Sequence, residues 1–94
     1  MAQRSIESII SDIENLKEEY RAHRKENSVY DSLEKYHYTI RSIDEHLRDL
    51  SEAIYREQTR LTTIGDRNLQ NKFAMKFNHH TQEAVFRALR RVDL

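Results

Sequence analysis

Histidine and carboxylate are the side chains of this sequence best suited to chemistry, and their spacing argues against most of it. His79 and His80 are adjacent, so on a helix they point about 100° apart and share a metal poorly. His79 and Glu83 form an i, i+4 pair that could grip a metal edge-on, but no third ligand stands nearby. His37 and His46 fall on different faces of any helix that holds both. The carboxylates pair with basic residues at helical spacing, as in Glu14–Lys17, Glu45–Arg48 and Glu52–Arg56, which is the pattern of a solvated helix face. Serine is plentiful, yet no G-x-S-x-G elbow, H-E-x-x-H pair or glycine-rich phosphate loop occurs, and cysteine is absent. The expectation is a protein without enzymatic activity, metal or cofactor.

Aromatic and basic residues are more suggestive. Tyr30, Tyr36 and Tyr38 cluster with Lys35, His37 and Arg41, and Tyr20 precedes Arg21, His23, Arg24 and Lys25. Lys72, Lys76, Arg87, Arg90 and Arg91 lie at the far end. Tyrosine faces stack on nucleobases while Lys and Arg neutralise phosphates, so these clusters, with Arg87 and Arg91 at the far end, are candidate ligand contacts. Tyrosine is equally at home in a protein interface, with its ring buried and its hydroxyl wet.

The elements that would carry these side chains are helices. The 94 residues contain no proline and one glycine, Gly65, and strand alternation is nowhere sustained. Ser5 caps a first helix whose stripe is Ile6, Ile9, Ile13, Leu16, Tyr20 and His23 at 3-4 spacing, widened by Ile10. The register then changes near residue 30, where Ser28 and Asp31 read as a capping box. The change marks either a turn or a stammer in one long helix; a turn or sharp kink is the reading preferred. A second stripe follows as Leu33, Tyr36, Ile40, Ile43, Leu47, Leu50, Ile54, Glu57, Leu61 and Ile64. Gly65 ends it as a C-terminal cap, and Asp66 or Asn68 opens a third helix. The face of that helix is Leu69, Phe73, Phe77, His80, Ala84, Ala88 and Arg91, with a second edge of Val85, Leu89 and Val92 near Phe86. The expected fold is all-α: a single domain built as a three-helix antiparallel hairpin or bundle, with helices at about 5–26, 29–64 and 67–91 and the long one in the centre.

Those lengths do not match. At 1.5 Å per residue the helices span roughly 33, 54 and 37 Å, so the outer two leave part of the central stripe uncovered on any one side. With 37% apolar and 34% charged residues the core is thin for a lone monomer. Exposed apolar stripes on small proteins mark interfaces, so a homo-oligomer is expected, joined along Ile40, Ile43, Leu47, Leu50, Ile54 and Leu61. No apolar run approaches a membrane span and no signal-peptide core is evident, which points to the cytoplasm and away from membrane. Net charge is zero, with residues 65–94 carrying six Lys/Arg against three Asp/Glu. That balance is not the electrostatic footprint of a duplex-binding protein.

One stretch carries a resemblance. Residues 60–73 follow the frame R-x-x-x-I-G-x-x-x-L-Q-x-x-F. The frame resembles part of a phage family of small helical-hairpin proteins, which soak up the cyclic oligonucleotide signals of bacterial CBASS immunity. That family also has, upstream, a Tyr-Arg pair with a Lys fifteen residues after the Tyr; Tyr20-Arg21 and Lys35 keep the spacing. The resemblance implies that Tyr20 stacks on a base, that Lys35 contacts the phosphodiester ring, and that pockets lie between subunits of a compact oligomer.

Three functions are therefore in play. The leading one is a non-enzymatic oligomeric interaction protein that docks or sequesters a partner, as an adaptor, chaperone or inhibitor does. The alternatives are a sponge for cyclic di- or trinucleotides and a small nucleic-acid-binding regulator. The partners expected are a second copy of the chain, and another protein or a cyclic nucleotide.

Overall fold

Four short polar side chains decide where the helices begin. The Ser5 hydroxyl accepts from the Ser8 amide, Ser28 from Asp31, the Asp66 carboxylate from Leu69, and the Asn78 carbonyl from His80 and Thr81. Each satisfies an amide that the first helical turn leaves without a partner. In the computed structural model, which describes residues 4–92, these caps open four helices: α1 (Ile6–Glu26), α2 (Val29–Ile64), α3 (Arg67–Phe77) and α4 (His79–Arg90). No strand occurs among the described residues.

The chain turns at Asn27 and Ser28, both in extended backbone, and α1 folds back along α2. The Ser28 hydroxyl, which accepts from the Asp31 amide, also donates to the Asp31 carboxylate at 2.9 Å, so half of the expected capping box is formed, with a side-chain pair beside it. Arg4, ahead of α1, bonds Asp49 on α2, and Tyr20 meets Tyr36 edge to face at 5.8 Å, so the pair is antiparallel. At the other end Gly65 takes the left-handed conformation (φ 76°), and its N–H closes the last turn of α2 onto the Leu61 carbonyl. α2, 36 residues long, sets the 53 Å length of the molecule.

The core is a seam of Ile9 and Ile13 against Ile43, Leu47, Leu50, Ala53 and Ile54, closed by Phe77 and Leu89 from the returning helices. Three expectations from the pattern are corrected here. The first concerns helix number. The single helix expected over 67–91 is two, because Asn78 is extended: its N–H ends α3 on the Ala74 carbonyl while its side chain starts α4. The break resets the helical phase. His80, Ala84 and Ala88, which continue the α3 stripe on paper, are exposed, and α4 turns inward the edge of Val85, Phe86 and Leu89, with Val92 just after it.

The second correction lies in the first third of α2. Leu33 is exposed and Ile40 half-buried, while Ser32 and Thr39 are fully buried in their place. Tyr36 meets the enclosed ring of Tyr20, and Ser32 and Thr39 sit one turn to either side of it. Small side chains there leave room for that aromatic pair, so packing volume overrides hydrophobicity. The third is at the C-terminal end of α2, where Ile64 is exposed because α3 turns away after Gly65.

Candidate docking surface

α4 is seated in the groove between α1 and α2 by two long-range polar contacts as well as by its apolar edge. Lys17 of α1 donates to the Ala88 carbonyl at 3.2 Å, and Arg90 grips Asp44 of α2 at 2.8 Å. With its apolar edge inserted, α4 is the third helix of a local bundle. It ends at Arg90, and Arg91 is extended. The groove does not end there, because α2 continues toward its start at Val29 and α1 toward Glu26.

Beyond α4 the groove is an open trough. Lys17, Arg21 and Arg24 follow one another at 4-3 spacing along the α1 edge, whose first member touches α4. On the α2 edge, Asp44 is followed toward the distal end by Ile40, His37 and Leu33. Tyr20, Arg24, Val29, Leu33 and Tyr36 line a cleft of about 170 Å³ in this trough. Val29 is 64% and Leu33 53% exposed, and with the half-buried Tyr36 and Ile40 they form a 4-3-4 apolar ridge that no element covers among the described residues. Arg24 is half-buried and makes no ion pair or hydrogen bond with its side chain among the described residues. Arg21 bonds Glu18 one turn back.

The residues expected to join copies of the chain are placed differently. Ile43, Leu47, Leu50, Ile54 and Leu61 are all buried, and the first four belong to the core beneath α1, α3 and α4. A second copy reaches them only if those helices part; Ile40 alone of the six stays partly open. The uncovered stripe that unequal helix lengths demand does exist, but at the N-terminal third of α2.

The candidate ligand contacts do not converge. Tyr20 is 2% exposed with its ring occupied by Tyr36, so its face is not offered to a base. Lys35 lies over the Tyr38 ring at 5.1 Å and lines a different cleft, with His23, Asp31, Glu34 and Tyr38. Arg87 and Arg91 are exposed on and just after α4. Val29 and Arg24 are the trough residues that the pattern did not single out. Their signal was present as the 4-3-4 spacing of Val29, Leu33, Tyr36 and Ile40, which runs beside the buried Ser32–Thr39 line.

A larger cleft, about 380 Å³, opens between the start of α1, α2 and Phe73, lined by Arg4, Arg56 and Arg60. Its cations are already answered. Arg4 bonds Asp12 and Asp49, Arg56 lies 3.8 Å from Glu52, and Arg60 bonds both oxygens of Glu57. The Arg60 hydrogen bonds, which outweigh the small effect of burial, hold the Glu57 carboxyl below the ordinary carboxylate value. This is an internally neutralised network of surface ion pairs, and its chemistry is spent within the chain. Among the described residues no three His, Asp or Glu side chains converge as a metal set, and no helix is long and apolar enough to cross a membrane.

Fold and surface together define a class: an all-α hairpin, partly filled by two returning helices, with the rest of its third-helix position uncovered among the described residues. No protein family, curated protein or solved structure was found to match the chain.

Proposed function

We propose that this protein is a non-enzymatic docking module that holds a helical segment of a partner in the open third-helix position of the α1–α2 hairpin. The observation that carries this reading is the apolar ridge of Val29, Leu33, Tyr36 and Ile40, continuous with the groove that α4 fills. A helix is the shape the surface asks for, because α4 already occupies the same groove as a helix with inward residues at 3-4 spacing. The open ridge spans about twelve residues of α2, or roughly 18 Å, which is about three turns of helix. Burying one Leu-sized side chain there is worth about 1.5–3 kcal/mol, so a few such contacts suffice for a reversible complex.

The test is photocrosslinking in the host cell with a benzophenone amino acid at position 33 or, as control, at position 45 on another face of α2. Crosslinks from position 33 that land within one helical segment of a partner are expected, with none from 45. Equal labelling from both positions, or none from 33, would sink the reading.

A further inference from the structure

We infer that the segment taken into the trough is an acidic amphipathic helix, with an apolar ridge flanked by Glu or Asp; this deepens the docking reading above and rests on it. The inference comes from the charge around the trough. Along the α1 edge the side chains are Lys17, Arg21 and Arg24; at the head stand Arg90 and Arg91; along the α2 edge the polar positions are His37 and Asp44. Within that rim Asp44 is bonded by Arg90, Arg21 pairs with Glu18, and Lys17 is held on the Ala88 carbonyl, which leaves Arg24.

Arg24 is the decisive member. It lines the apolar cleft beside Leu33 and Tyr36, is half-buried, and has no carboxylate among the described residues. Arg4, Arg21, Arg56, Arg60 and Arg90 each pair with Asp or Glu, and Arg41, Arg48, Arg67 and Arg87, which have no ion pair among the described residues, are exposed to water, whereas Arg24 is half-buried. Covering Arg24 with an apolar or basic segment would desolvate an unanswered charge, whereas a Glu or Asp on the incoming helix would answer it. A second copy meeting the first face to face across this trough would set the same basic rim against itself, and like charges at an interface are strongly disfavoured. The occupant is thus a segment of opposite charge rather than this chain's own trough.

The experiment uses the intact chain and three stapled helical peptides of about fourteen residues, a length set by the trough. All three carry Leu at i, i+3, i+7 and i+10; their flanking positions are all Glu, all Gln or all Lys. Binding is read by fluorescence anisotropy at two salt concentrations. The Glu peptide is expected to bind about tenfold more tightly than the Gln peptide at low salt, the size of two exposed ion pairs, with the gap closing at high salt. Arg24→Glu is expected to reverse the order in favour of the Lys peptide, and Arg24→Gln to shrink the preference to about threefold. Both variants should remain folded, since Arg24 makes no ion pair or hydrogen bond among the described residues; Arg24→Glu is expected to melt slightly below Arg24→Gln, because it sets an anion in the last turn of α1.

Equal binding of the Glu and Gln peptides, unchanged in Arg24→Glu but abolished by Leu33→Asp, overturns the acidic partner while leaving the docking surface standing. Failure of every peptide to bind, or binding indifferent to Leu33→Asp, overturns both. A dimer of the chain alone, seen by light scattering and dissociated by Leu33→Asp, makes a second copy the occupant and also overturns the inference.

Discussion

The Lys17 ammonium donates to the Ala88 carbonyl oxygen, 3.2 Å away and 71 positions further along the chain. Lys17 is 7% exposed, so a cation of α1 lies buried against the last turn of α4. The Ala88 carbonyl also accepts from the Arg91 N–H at 3.3 Å, and the negative end of the helix dipole favours a cation at that place. The contact fixes the last turn of α4 in the third-helix position.

Removing the ammonium while keeping the stem should therefore loosen α4 selectively. Lys17→Met is expected to lower amide-exchange protection over residues 85–90 by about tenfold, the equivalent of one net hydrogen bond. Protection along the α1–α2 seam should stay at its parental level. A uniform loss across all helices would contradict this division of the fold.

The two Leu positions of α2 should separate core from surface. Leu50 is fully buried between α1 and α2, whereas Leu33 stands open on the trough. Leu50→Ala should cost about 2–5 kcal/mol in denaturant unfolding, and Leu33→Ala less than about 0.5 kcal/mol. A comparable cost for Leu33→Ala would mean that the trough is covered in the free protein.

Thr39 offers a stabilising change. Its hydroxyl is buried and has no hydrogen-bond partner, as is true of the Ser32 hydroxyl seven residues earlier. An unsatisfied buried hydroxyl costs about 1–3 kcal/mol, and valine has the same shape without it. Thr39→Val should raise the melting temperature by several degrees, given that 1 kcal/mol moves a domain of this size by about 4–8 °C. A fall would show that the hydroxyl is satisfied in solution.

Asn78 is the hinge between α3 and α4. Its carbonyl oxygen accepts from His80 at 2.9 Å and Thr81 at 2.9 Å. Asn78→Ala removes the cap and should cost about 1 kcal/mol, while Asn78→Asp keeps an acceptor and should cost much less. Equal losses in thermal melts of the two variants would remove the cap from the account.

Much of this architecture was readable before any tertiary contact was known. Ser5, Ser28, Gly65 and Asp66 mark helix ends through local hydrogen bonds and backbone preference, which need only neighbours in sequence. That is why α1, α2 and the turn at Asn27–Ser28 stand where the pattern put them. The mismatch of helix lengths, and hence an uncovered apolar stripe, also followed from counting residues. Asn78 could have been recognised by the same capping logic, but the unbroken stripe running from Phe73 through Phe77 to His80 masked it.

What only the folded chain decided is which side chains face one another. Two overlapping stripes compete in the first third of α2, one through Ser32 and Thr39 and one through Val29, Leu33 and Ile40. Hydrophobicity alone favours the second, yet the volume of the Tyr20–Tyr36 pair selects the first and leaves the greasier one in water. Likewise the break at Asn78 changes the phase of α4, so Leu89 rather than Ala88 enters the core. Helix ends are set by chemistry within a few residues of the chain; helix faces are set by the volumes of residues far apart in it, and those meet only in three dimensions.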